Sequence, residues 1–317
     1  MKDRSTREAF GEALVRNGET NTNIVALDGD VATSVMTAEF GKRFPERYYQ
    51  LGIAEANIIG VASGLALAGK IPFAASFGCF ITGRFDQIRM SVGYNRANVR
   101  IVGTHVGVGI GPDGHSQMAL EDTTLMRTIP NMAVIQPASG IETEAAVDYL
   151  TKHVGPSYIR LTRQKVKEIY DENYTFEFGK GVRLREGSDV AIVASGATVE
   201  QALVAADLLS EHGISAAVAN IHTIQPIDVD LLADLASTCG RVVAVEDHVP
   251  VGGLAGAVCE ALCERDPVPV LRIGVRGFGE SGDPAELYDK FGLSARKIAE
   301  ATAGFIGSPA ELALARA

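Results

Sequence analysis

Strand-like and helix-like segments alternate along this chain in two separate series. In the first, the strand-like runs are Asn23–Leu27, Ile71–Ser76, Val99–Thr104, Ala133–Gln136 and Ser157–Leu161. Helices are expected between and around them over Thr6–Asn17, Glu55–Ala68, Gly83–Ser91, Ser116–Thr128 and Ile141–Lys152. Strands that alternate with helices imply a mostly parallel sheet covered on both faces. The second series has strands at Asp189–Ala194, Ile214–Asn220, Arg241–Glu246 and Val268–Ile273. Its helices are Thr198–His212, Asp228–Thr238, Gly253–Arg265 and Ala295–Ile306. Between the two, Gln164–Glu177 is polar and aperiodic, as a linker is. The expectation is an α/β chain of two doubly wound domains, residues 1–172 and 184–317, with a linker over 173–183.

Composition narrows the partners. Lys and Arg total 29 and Asp and Glu 39, a net charge of −10. Such a chain binds nucleic acid or anionic membranes poorly by bulk charge, though a local basic pocket for phosphate remains open. The segment MKDRSTREAF has no apolar signal-peptide core, and the weakly charged stretch Ala56–Gly83 is broken by Asn57, Lys70, Pro72 and several Gly. Cys79, Cys239, Cys259 and Cys263 lack the spacing of a metal site and read as buried reduced thiols. Together these point to a cytoplasmic protein with no nucleic-acid, membrane or metal site of its own.

Several motifs bear on chemistry. Gly109, Gly111 and Gly114 fit G-x-G-x-x-G, but no acidic residue lies about twenty positions on to hold a ribose, so a dinucleotide site is not indicated. No Walker A loop, H-E-x-x-H or G-x-S-x-G occurs. In Gly52-Ile53-Ala54-Glu55-Ala56-Asn57 a carboxylate opens an otherwise small and apolar helix. The simple reading is an acid favoured by the helix dipole; the sharper one is a buried carboxyl that donates or shares a proton. Ser76-Phe77-Gly78-Cys79-Phe80 sets two rings three residues apart, in the core or against a ligand. His105 follows a strand's C-terminal end, the edge where parallel sheets gather ligands, although a structural histidine would also sit there.

Taken together and in order, these segments resemble the second half of transketolase over nearly the whole chain. The resemblance is carried by Thr6-Arg7-Glu8, Asp28-Gly29-Asp30 with Ser34, the Gly52–Asn57 motif, and Ser76-Phe77 with Phe85-Asp86-Gln87-Ile88-Arg89. It continues through Gly111-Pro112-Asp113-Gly114, Gln117-Met118-Ala119-Leu120-Glu121-Asp122 and Arg160-Leu161-Thr162-Arg163-Gln164. Thr223–Asp228, Glu246-Asp247-His248 and Gly252-Gly253-Leu254 complete it. The family's diphosphate-binding domain is marked by G-D-G followed by Asn. Here the triplet is D-G-D and precedes the glutamate motif, as in the pyrimidine-binding domain. The resemblance therefore implies the C-terminal half of a split enzyme, with a partner chain supplying the diphosphate half.

The resemblance also implies roles. Thiamine diphosphate would be the cofactor, with a Mg or Ca ion held mainly by the partner. Glu55 would bond the aminopyrimidine ring and promote loss of the thiazolium proton. Phe77 and Phe80 would wall the ring, with Ile53 and Asp30 near it, Asp30 at a two-fold interface. Arg7, Ser34, His105 and Arg163 match phosphate-binding positions, and Asp113 matches a residue that bonds a substrate hydroxyl. Gln117 stands where many members have His, as in animal-type enzymes; it bonds a hydroxyl but cannot shuttle a proton, and His115 is two residues away. Gly83 replaces an aromatic found in some members. Two copies of each chain and sugar-phosphate substrates are expected, with the second domain contributing little to the site and His222 and His248 structural. The rivals are a 2-oxo acid dehydrogenase β subunit, a pyruvate/sugar-phosphate synthase and a silent scaffold. The phosphate-binding set argues against the first, and intact Glu55 against the last.

Overall fold

A computed structural model describes residues 3–307. Two sheets organise them. The first has seven strands in the order Thr223–Gln225, Ala133–Ile135, Ser157–Arg160, Arg100–Thr104, Ile71–Phe77, Ile24–Asp28 and Tyr48–Gln50. All neighbours run parallel except Thr223–Gln225, which pairs antiparallel with Ala133–Ile135. The second sheet has Val270–Ile273, Val242–Val245, Val190–Ala194, Ala216–Asn220 and an antiparallel edge, Val182–Arg185. The central strands Ile24–Asp28, Arg100–Thr104 and Val190–Ala194 are buried at every residue, which requires helices on both faces.

Each sheet closes its own layers, but one apolar core spans both. Ile101, Met126, Ile129 and Val134 of the first half share a packed cluster with Ala191, Leu232, Leu254 and Val258 of the second. The short edge strand Thr223–Gln225, from the second half, completes the first sheet. The two halves therefore present their loops to each other in a fixed arrangement.

Two expected helices differ. Ser116–Thr128 is not one helix. A 3₁₀ turn spans His115–Gln117, the chain then runs extended, and a short helix forms only at Asp122–Arg127. The cause is an extended bridge between Val106 and Ala119, which pulls Met118–Leu120 under the second domain. Gly83–Ser91 becomes a short turn, Phe85–Gln87, continuing into a wide π-helix over Ile88–Tyr94. All four cysteines are free; Cys239 is buried, but Cys79 and Cys259 are only half-buried and Cys263 is exposed. Among the described residues no helix is long and apolar enough to cross a membrane, and no group of three or more His, Cys, Asp or Glu could hold a metal ion.

Candidate active site

The site lies at the C-terminal edge of the first sheet. Glu55 opens the helix Glu55–Leu67 with no side-chain cap before it. Its carboxylate is nearly buried, and its Oε1 accepts a 3.2 Å hydrogen bond from Ser76 Oγ. Phe77 is the last residue of the neighbouring strand and stacks on Phe80, ring centroids 5.3 Å apart and planes 6° from parallel. Phe77 also stacks on His105, ring centroids 3.7 Å apart. The register that pairs Phe77 with Thr104 brings these rings together, since His105 follows Thr104 directly.

His105 is held in a left-handed conformation, φ 56°, and is 2 % exposed. Its Nε2 lies 3.2 Å from Arg7 Nη1 and its Nδ1 2.9 Å from Thr104 Oγ1. A guanidinium only donates, so Nε2 accepts and the ring proton sits on Nδ1, where it donates to Thr104. Thr104 Oγ1 in turn donates to the carbonyl of Ser76 at 3.4 Å. Burial, reinforced by the positive charges of Arg7 and Arg163, pushes the His105 pKa down to about 3. The imidazole is therefore neutral near pH 7.

Arg7 reaches the site because its helix is anchored at its first turn. Ser5 and Glu8 form a reciprocal capping box, and Thr6 Oγ1 accepts from the backbone N–H of Thr162 at 2.8 Å. The Thr6-Arg7-Glu8 motif is thus tied to the segment that carries Arg163. Arg7 Nη1 also donates to the carbonyl of Ser34 at 2.8 Å, while its buried Nε has no partner. Burial and then the nearby Arg163 lower the Arg7 pKa. Arg163 pairs with Asp113 at 2.9 Å. Two guanidiniums and a histidine thus meet one carboxylate, and the orphaned Nε of Arg7 leaves a donor for an anion.

Other expected residues lie at the rim. Asp30, at φ 65°, is exposed and accepts from Gln50 Nε2 at 3.0 Å. Asp28 is structural: its buried Oδ2 accepts from Thr37 at 2.6 Å and Tyr48 at 2.7 Å. Ile53 is 85 % exposed. Gln117 is half-buried and makes no side-chain hydrogen bond to a described residue. His115 Nδ1 accepts from Gly279 N–H at 3.1 Å and its ring sits edge-on to Phe278, so it is engaged by the second domain.

Residues 2–168 match the protein family described as "Transketolase, pyrimidine binding domain", and residues 179–298 match "Transketolase, C-terminal domain". The chain belongs to the transketolase family. It is 43 % identical over 299 residues to a "Putative transketolase C-terminal section" of Methanocaldococcus jannaschii, covering 93 % of this chain and 94 % of that one. It is 41 % identical over 303 residues to a 6-deoxy-6-sulfo-D-fructose transketolase subunit of a Clostridium species, covering 95 % and 94 %. A solved structure, "Split gene transketolase, inactive beta4 tetramer", superposes with a TM-score of 0.89 at 44 % identity, covering 96 % of this chain and 98 % of that one. The transketolase fold, in its C-terminal, split-gene form, thus accounts for nearly the whole chain.

The family works with thiamine diphosphate, and the residues here fit its aminopyrimidine end. The nearly buried carboxyl of Glu55 is bonded to Ser76, the residue next to Phe77 and its stacked partner Phe80, so a polar group and an apolar wall of the kind a polar heterocycle needs lie on one strand end. Sequence reasoning missed how the substrate-side loop is held. Asp247, from the second domain, is buried and accepts from the N–H groups of Val108 at 2.8 Å and Gly109 at 3.2 Å. It also accepts from Tyr288 Oη at 2.9 Å, and Tyr288 accepts from Gln164 at 2.8 Å. A Cβ at Gly107, φ 77°, would lie 2.1 Å from Asp247 Oδ2, so the glycine run permits this clamp. A second buried network joins Arg160, Asp122 and Tyr158: Arg160 Nε donates to Asp122 at 2.8 Å, and Arg160 Nη2 also donates to the Asp247 carbonyl at 3.0 Å. His248, buried with its pKa pushed down to about 4, lies beside this network, its Nε2 3.8 Å from Asp122 Oδ1, whereas His222 is buried elsewhere, against Phe176.

Proposed function

We propose that this chain is the C-terminal subunit of a thiamine-diphosphate-dependent transketolase that moves a two-carbon ketol unit from a ketose phosphate to an aldose phosphate. The observation that carries the proposal is the convergence of Arg7, His105 and the Arg163–Asp113 pair beside the stacked rings of Phe77 and Phe80, with Glu55 bonded to the adjacent Ser76. When bound, thiamine diphosphate supplies an acidic thiazolium carbon and a sink for the electrons of the broken carbon–carbon bond. Glu55 holds the aminopyrimidine in its reactive tautomer through a hydrogen bond, and Ser76 fixes the orientation of Glu55. Phe77 and Phe80 exclude water from the ring face, with Ile53 and Asp30 at its edge. Arg7, Arg163 and neutral His105 hold the terminal anion of the sugar, together with Ser34. Asp113 and Gln117 bond substrate hydroxyls. With its proton on Nδ1, His105 acts through Arg7, which donates to its Nε2; a direct bond to the anion requires the proton to move to Nε2.

The diphosphate and its Mg or Ca ion belong, in this reading, to a partner chain, since the D-G-D triplet is committed to fold contacts through Asp28. Two copies of each chain around a two-fold axis, working in the cytoplasm, complete the assembly. The inactive β4 tetramer named for the split-gene relative supports a subunit that needs its partner. The Clostridium relative's name specifies a sulfonated sugar; a sulfonate and a phosphate place the same demand on a guanidinium fork. The test is Arg163→Ala in the assembled enzyme. Losing one charged hydrogen bond costs roughly 1.5–3 kcal/mol, and the loss should fall on KM for a phosphorylated aldose and spare its unphosphorylated counterpart. Equal loss for both, or none, removes Arg163 as the anion anchor.

A further inference from the structure

We propose that the C-terminal domain carries an anion site of its own, built to take a small phosphate or diphosphate ester. A cavity of about 740 Å³ opens between the end of the edge strand Val270–Ile273, the turn at Phe291–Gly292 and the helix Ala295–Ile306. Arg272, Arg276, Lys290 and Lys297 line it, and Glu300 is the one carboxylate among its lining residues. This is a concentration of positive charge in a chain of net charge −10.

The two arginines decide the reading. Arg272 Nη1 donates to the carbonyl of Pro250 at 2.9 Å, and Arg276 Nη2 to the carbonyl of Arg272 at 3.3 Å. Neither forms an ion pair with a carboxylate among the described residues. Elsewhere in this domain most described arginines are paired with acids, the exposed Arg241 excepted: Arg183 with Glu186 and Asp234, Arg185 with Asp207, Arg265 with Asp230, and Arg296 with Asp289 and Glu300. Lys297 pairs with Glu300 at 2.9 Å and Lys290 with Glu280, but these are half-exposed pairs that contribute little and exchange readily. Arg272, Arg276 and Lys290 are exposed, but like charges gathered around one concave surface repel one another and focus a positive potential, which an entering anion relieves. Two guanidinium forks and two ammonium groups exceed what Glu300 and Glu280 satisfy and match the several oxygens of a phosphate group. Leu271, Phe291 and Ala301 supply an apolar wall for the body of an ester, and the volume is ordinary for a metabolite site. Lys290 ends the helix Pro284–Lys290, which carries Tyr288, so the cavity borders the element that steadies Asp247 and the substrate-side loop.

The test is isothermal titration of the full chain with inorganic pyrophosphate in metal-free buffer of low ionic strength. A saturable step is expected that Arg276→Gln weakens by about tenfold or more, the loss of one charged hydrogen bond. The same step should survive in Arg163→Gln, which removes an anchor of the candidate active site. Circular dichroism of Arg276→Gln matching the parent keeps a folding defect from imitating the result. Titration with AMP and with inorganic phosphate separates the two sources: tighter AMP binding assigns an ester ligand, whereas phosphate binding as tight as AMP assigns the free ion and overturns the ester. No saturable step, a step indifferent to Arg276→Gln, or one abolished by Arg163→Gln overturns the site itself.

Discussion

Replacing Asp247 by Asn is the sharpest test of how the second domain supports the site. The substitution keeps the shape and removes the charge. In the folded protein Oδ1 accepts from Val108 N–H, and Oδ2 accepts from Gly109 N–H and Tyr288 Oη. An asparagine oxygen placed at the Oδ2 position keeps two of these bonds. Its NH₂ group then faces the N–H of Val108, donor against donor, in a fully buried position. One charged hydrogen bond is lost, about 1.5–3 kcal/mol, and the orphaned N–H adds a desolvation cost of similar order. The offset is modest: burial raises the Asp247 pKa, so the native charge is itself maintained at a cost. A net destabilisation of about 2–4 kcal/mol follows. The loop that leaves Val108 and Gly109 leads to Asp113, so the Asp113–Arg163 pair should loosen as well. Urea unfolding of the chain should show a lower midpoint at an unchanged slope. In the assembled enzyme KM for the sugar phosphate should rise more than kcat falls. Tyr288→Phe, which removes only one donor, should show a smaller version of both effects. An unchanged midpoint and an unchanged KM in Asp247→Asn would refute the clamp.

Two further outcomes are expected. Glu55→Gln should leave the fold intact, because Ser76 Oγ can still donate to the amide oxygen, yet should slow thiazolium C2 proton exchange in the assembled enzyme by at least a hundredfold, the lower range for a positioned acid or base; near-normal exchange would exclude Glu55 as the activator. Stability should decline in mild acid. Burial lowers the pKa of His105 to about 3 and of His248 to about 4, while an unfolded His protonates near 6.5, so the unfolded chain binds more protons below that pH and the contribution, complete above 6.5, is lost as pH falls toward 4 and 3. Glu246, raised to about 7 by burial, acts in the opposite sense, its contribution complete below 4.5 and lost as pH rises through 7. His105→Gln should flatten the stability slope between pH 6.5 and 5 by up to about 1.4 kcal/mol per pH unit, and an unaltered slope would mean that His105 is not buried as a neutral ring.

The strands were legible because they are continuous buried runs of β-branched and small residues, and such runs have few other folds. The helix Glu55–Leu67 was legible for a similar reason, since its small apolar residues admit close packing. Ser116–Thr128 was not, because its local spacing suits a helix and only a long-range bridge from Val106 to Ala119 draws it out. Edge strands such as Thr223–Gln225 and Val182–Arg185 are three and four residues long, too short for a periodic signal. Within the site, the groups that the family resemblance gathered — Arg7, Ser34, His105, Asp113 and Arg163 — lie in one connected cluster. Asp247 was missed although its motif was in view. Its partners are backbone N–H groups of a glycine run, and such partners leave no side-chain pattern in the sequence. The glycines themselves were the available signal: G-x-G spacing away from any nucleotide context points to close backbone approach by something else.

Ketol transfer by the purified chain, with and without its partner, measures most directly whether this chain is one half of a two-chain enzyme. With thiamine diphosphate, Mg ion, a ketose phosphate and an aldose phosphate, the chain alone should show no turnover, and an equimolar subunit bearing the diphosphate-binding half should restore it. Full turnover by the chain alone, or none when both chains are present and assembled, would contradict the account.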